Sequence, residues 1–176
     1  MEGWDARTIY WLGYHGLLWE GYTEEANRIA DLLLEYLPTL PPETQLSNSY
    51  RNQKGWFLFG TGEVEEAERI FKGLVDDNPD NLNYRTAQAI MAANLGDTAT
   101  ARATLRWLEQ FEHSYERGGG LDLRAPIEAH FGNHDEAVRL LELAVRRGPW
   151  MVWSRYPPYR PLWDHPGFKE IMKPKG

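Results

Sequence analysis

The chain contains no cysteine among its 176 residues. That removes disulfide frameworks, thiolate nucleophiles and cysteine-ligated metal centres together. It also lacks any run approaching the roughly 18 uninterrupted apolar residues of a membrane span. Positive charge is scarce: 19 Lys and Arg stand against 26 Asp and Glu, a formal net charge of -7. General nucleic-acid binding is thereby disfavoured, because neutralising phosphates needs a basic surface. The opening stretch "MEGWDARTIYWLGYHGLLWEG" has neither the basic leader nor the small-residue cleavage site of a secretory signal. The expectation is a cytoplasmic protein that does not enter membranes.

What remains is 42% hydrophobic and 26% charged, the balance of one soluble globular domain long enough to bury a core. Charge is unevenly placed. From Arg139 onward eight basic residues face three acidic ones, so the acidic surplus lies in residues 1 to 138. Either the basic end lies on the acidic body, or the body attracts cationic partners, or both are simply solvated surface.

One outline recurs along the chain. Gly21, Gly62, Gly96 and Gly132 open "GYTEEA", "GEVEEA", "GDTATA" and "GNHDEA", and each is followed five residues on by Ala26, Ala67, Ala101 or Ala137. In three units a proline comes twelve residues later, at Pro38, Pro79 and Pro149, while the third has His113 there. The glycines lie 41, 34 and 36 residues apart, close to the roughly 34-residue period of a two-helix repeat. From each alanine an apolar stripe runs at i, i+3, i+4, i+7 and i+8, as in Ala67, Ile70, Phe71, Leu74 and Val75. The third unit keeps it least well.

Each position has a physical job. Glycine accepts the left-handed backbone of a tight interhelix turn, and the acids after it favour the positive end of the next helix. Alanine stays small where two helices cross, and proline ends the second helix. The additional residues between the first two glycines are expected around "TLPPETQLSNSY", with Pro41 and Pro42 starting a lengthened helix. Pro126 predicts a short or kinked helix after the flexible "RGGGLD" link.

With its alanine, aromatic and proline, "AERIFKGLVDDNP" (Ala67, Phe71, Pro79) resembles the tetratricopeptide repeat family, and Gly55 and Leu58 sit where its first helix has a small residue and a tyrosine. The resemblance implies an all-α, right-handed solenoid of four hairpins across residues 1–149, with units near 5–38, 43–79, 82–113 and 121–149. Residues 150–176 then form a capping segment. Their "P-x-x-x-P-L-x-x-x-P-x-F" run, at Pro157, Pro161, Leu162, Pro166 and Phe168, resembles the end of repeat regions in many bacterial multidomain signalling proteins. Trp150, Trp153, Leu162, Trp163, Phe168 and Ile171 are the expected seal over the last apolar face.

Little in the chain points to catalysis. His130 and His134 have a helical metal-ligand spacing, but Gly132 breaks the face between them and Phe131 stands where a zincin-like motif has its glutamate. "RGGGLD" follows no strand, so it is not read as a phosphate loop. The acids of "GEVEEAE" are dipole partners and solvated charge. No catalytic residue, metal or cofactor is assigned, and a non-enzymatic interaction or sensor domain is expected.

The resemblance places the first helices along a concave face. Its groove-facing pattern falls on Trp11, His15 and Trp19, then Asn52, Trp56 and Phe59, then Asn83, Thr86, Ile90 and Asn94, and finally His130. Rings supply contact area at low entropic cost, and amides bond an extended backbone. A neutral or basic protein or peptide is the expected partner. Two alternatives stay open: the rings pack against neighbouring repeats or beneath the tail, or they are covered by another copy in a homo-oligomer.

Overall fold

The computed structural model describes residues 6–110, 120–147 and 156–173. Four antiparallel helical hairpins follow one another: α1 (Ala6–Glu20) with α2 (Thr23–Tyr36), α4 (Asn48–Thr61) with α5 (Val64–Asp77), α6 (Leu82–Asn94) with α7 (Thr98–Glu109), and α8 (Leu121–His130) with α9 (His134–Arg147). The short α3 (Pro42–Gln45) lies between the first two hairpins. The chain ends in a 3-10 segment, Pro157–Leu162, and α10 (Pro166–Ile171). Among the described residues there is no strand. The fold is an all-helical repeat array.

The repeated glycines make the hairpins. Gly21, Gly62, Gly96 and Gly132 adopt φ of 89°, 102°, 81° and 82°, a region that residues with a Cβ rarely enter. In each turn the next residue donates its N–H five residues back, Tyr22 to Leu17, Glu63 to Leu58, Asp97 to Ala92 and Asn133 to Glu128. These are helix-terminating bonds that satisfy otherwise orphaned carbonyls. The alanines five residues later have no exposed surface in any of the four units. A larger side chain there would hold the two helices apart.

The residues between the first and second hairpins form a separate short helix instead of lengthening α4. Pro41 and Pro42 start α3 as expected, but Ser47 is extended and its hydroxyl accepts from the Tyr50 N–H, beginning α4 afresh. Gln45 folds its amide back onto the carbonyls of Leu40 and Pro38. Local caps outcompete one continuous helix here. The ten-residue α8 does contain Pro126. Pro149, His113, Trp150 and Trp153 lie outside the described residues.

Packing is continuous along the array. Phe71 and Leu74 of α5, Met91 of α6, Leu108 of α7 and Ile127 of α8 share the central cluster, all with 0% exposure. Gly55 of α4 lies beneath Phe71, whose ring edge would stand 2.7 Å from an added Cβ. At the C-terminal end Leu162 and Phe168 are buried with α8 and α9, and Ile171 and Trp163 pack partly buried against them. Trp163 also packs on the first hairpin's cluster around Tyr14 and Leu18. The Arg160 guanidinium donates to the Gly60 carbonyl at 2.9 Å. The last segment therefore reaches from the fourth hairpin back to the first two.

Candidate functional site

The first helices of all four hairpins and the last segment enclose a cavity of about 470 Å³. From α1 comes Trp11, and from α4 Asn52 and Trp56. Asn81, Asn83, Tyr84, Thr86 and Ile90 line it from α6 and its N-cap. Asp122, Leu123 and Pro126 of α8 form the far side, and Tyr156, Pro158 and Tyr159 close the remaining wall.

Of the eleven residues expected on the concave face, six line this cavity: Trp11, Asn52, Trp56, Asn83, Thr86 and Ile90. Four others face the last segment or one another. His15 is buried with its ring 5.5 Å from that of Tyr156. Phe59 meets the His130 ring edge-on at 5.7 Å. His130 Nε2 donates to the Pro158 carbonyl at 3.1 Å, and its Nδ1 accepts from the Asn94 amide at 2.8 Å. A carbonyl can only accept, so the proton is assigned to Nε2. Trp19 stands apart, 50% exposed and outside the cavity.

Local structure fixes the walls. Asn81 caps α6 by accepting from the Tyr84 N–H at 3.1 Å, which sets the turn carrying Asn83, Tyr84 and Thr86. Trp56 is wedged between Phe71 and Tyr156, with centroids 5.1 and 5.5 Å away. Trp11 meets His15 and Phe57 edge-on at 4.1 and 5.6 Å. Thr86 is only 5% exposed, and its hydroxyl has no hydrogen-bond partner.

Among the described residues, Asp122 is the one charged residue lining the cavity. Burial pushes the Tyr159 phenol well above its usual range, with the Asp122 charge and Tyr156 adding to that effect. Burial likewise raises Tyr156. Both phenols stay neutral across ordinary pH. Burial lowers the His15 and His130 imidazoles to about 4, because the interior disfavours their charged forms. Among the described residues no cluster of three or more metal-ligating groups is assembled.

Sequence reasoning missed Asn81, Tyr84, Asp122, Leu123, Pro126, Tyr156, Pro158 and Tyr159. Stepping back from His130 by helical spacing reaches Pro126 and Leu123, so that signal was present. Asn81 carried a recognisable cap signature before α6. For Tyr156, Pro158 and Tyr159 there was no local signal, since their place depends on which face the array leaves open.

Four hairpins stacked with their first helices on one inner face define a helical-repeat protein, a class typically non-catalytic and used for protein–protein interaction. The tetratricopeptide repeat family model matches residues 83–107, which span α6, its turn and most of α7. It thus selects the unit whose stripe is least regular, and there Arg85 stacks over the Trp107 ring at 4.3 Å. No curated protein and no solved structure matches the chain. No helix among the described residues is long and apolar enough to cross a membrane.

Proposed function

We propose that this chain is a cytoplasmic, non-catalytic scaffold or sensor domain that receives a short neutral or basic partner segment on the open part of its inner face. The observation that carries the reading is the cavity of about 470 Å³ lined by Trp11, Asn52, Trp56, Asn83, Thr86 and Ile90. Its size lies within the range of ligand pockets, and its aromatic walls bear a few convergent polar groups. Because Tyr156, Pro158 and Tyr159 occupy part of the face, the partner is a short segment rather than a peptide running the whole array.

Titration with peptides of graded charge, followed by tryptophan fluorescence and calorimetry, tests the proposal. Trp11→Ala and Asn52→Ala should each weaken a true partner by about tenfold, the scale of a modest hot spot. Trp19→Ala should leave affinity unchanged. Equal loss in all three, or in none, removes the site assignment.

A second reading, homo-oligomerisation, has its own support. Ile9, Leu12, Trp19, Tyr22 and Leu32 are large apolar residues left 43–58% exposed on the first hairpin. Light scattering across a dilution series separates the two readings, and a stable monomer removes the second.

A further inference from the structure

We infer that a second copy of this chain docks on the outer face of the first hairpin, with the two α1 helices antiparallel about a two-fold axis. The inference deepens the second reading above, self-association, and rests on it.

Equivalence between the units shows what such a face receives. Gly16 stands five residues before the turn glycine Gly21, and Phe57, Met91 and Ile127 stand five before Gly62, Gly96 and Gly132. Those three side chains have no exposed surface. Phe57 is packed into the first hairpin's cluster, while Met91 and Ile127 share the central one with Phe71 and Leu74 of α5 and Leu108 of α7. In the later units this face of the first helix is therefore where the preceding hairpin sits. On α1 it is open. A Cβ added at Gly16 would meet no atom within 4 Å among the described residues, and Ile9, Leu12 and Trp19 along the same stripe are 58%, 43% and 50% exposed.

The stripe selects a second copy as the occupant. Ile9, Leu12, Gly16 and Trp19 follow the three-four-three step of a seam between two helices. They are also spaced symmetrically about Tyr14. A two-fold axis at that level sets Leu12 opposite Gly16 of the second copy, and Ile9 opposite its Trp19. Each leucine then fills the notch left by the other chain's glycine, as close packing requires. Parallel pairing would face glycine with glycine and tryptophan with tryptophan, leaving a gap at one level and crowding at the next. It would also bring the two exposed Glu20 carboxylates together, whereas the antiparallel pairing sets them about 18 Å apart along the axis.

Sedimentation velocity of the full chain across a dilution series should show monomer and dimer and no larger species, because a two-fold contact closes on itself. Leu12→Glu should weaken the dimer by about thirtyfold or more, since the change enters the interface twice. Far-UV dichroism should stay unaltered, Leu12 being exposed in the single chain. Gly16→Leu discriminates further. It enlarges the exposed apolar area, so general stickiness would strengthen association, while a filled notch should weaken it about tenfold. The chain has no cysteine, so Leu12→Cys and Gly16→Cys variants can be oxidised as a mixture, and the mixed disulfide should outrun both like pairs. Larger assemblies, dimers indifferent to Leu12→Glu, tighter dimers of Gly16→Leu, or an excess of like-pair disulfides overturn the inference and leave self-association standing. A monomer at every concentration removes both. An amphipathic Leu/Lys helical peptide that binds such a monomer, and not its Leu12→Glu variant, would overturn the inference in favour of a foreign helix on this face.

Discussion

Lowering the pH from 7 to 5 should loosen the protein through two buried imidazoles. His15 and His130 are both held near 4 by burial, against about 6.5 in the unfolded chain. Between those values the unfolded state binds more protons than the folded one, so stability falls as pH falls. The contribution is whole above about pH 6.5 and gone below about pH 4. Linkage over the two-unit drop gives about 2 kcal/mol for each imidazole and about 4 kcal/mol for the pair. The depressed carboxyls of Glu66 (held by Lys54), Asp97 (held by Thr100) and Glu136 (held by Arg139) act in the same direction. Their contribution is lost at lower pH, below the ordinary carboxylate range, which leaves the window from 6.5 to 5 mainly to the histidines. Both imidazoles touch the last segment, His15 through Tyr156 and His130 through Pro158. Hydrogen exchange over 157–162 should therefore accelerate before the helices melt. Denaturant midpoints at half-unit intervals measure the slope, and a His15→Gln/His130→Gln variant supplies the flat reference. A parent whose midpoint is constant from pH 7 to 5, or a double variant with the parent's slope, would refute the reasoning.

Three glycines make a graded series. Gly16→Ala meets open space on a helix and should be neutral or stabilising by up to about 1 kcal/mol in thermal unfolding. Gly55→Ala drives a methyl into the Phe71 ring, and Gly60→Ala drives one into the Tyr14 hydroxyl. Each should lower stability by about 1–3 kcal/mol as overpacking, and Gly60→Ala should additionally release the last segment, seen as faster exchange at 157–162. Phe71→Ala, with no exposed surface to begin with, should cost about 3–5 kcal/mol by chemical denaturation.

The repeat was legible because its signals are local. A glycine that must turn left-handed and an alanine that must be covered are properties of single positions, and Gly21, Gly62, Gly96 and Gly132 with Ala26, Ala67, Ala101 and Ala137 all behave so. The third unit, which lacks the proline, keeps its hairpin because the Gly96 turn and the Asp97 cap suffice. Boundaries were less legible: no periodicity distinguishes one lengthened helix from α3 and a fresh start at Ser47. The inner face was half legible. Trp11, Asn52, Trp56, Asn83, Thr86 and Ile90 follow from helical spacing once the first helices are known to face inward. The roles of His15, Phe59, Asn94 and His130 depend on the segment around Tyr156–Tyr159. Its Pro-rich sequence has no period to read, and its course is decided by surfaces a hundred residues away and more.

An open stack of repeats resembles a row of coins: each unit feels only its neighbours, the ends fray first, and unfolding proceeds piecemeal. Trp163 and Arg160 change that topology, since they return the end of the chain to the first two hairpins. The row becomes a buckled belt with no free outer coin. Flexing that would splay an unbuckled array must first open the clasp, so curvature is set for the whole molecule at once, and with it the width of the inner face.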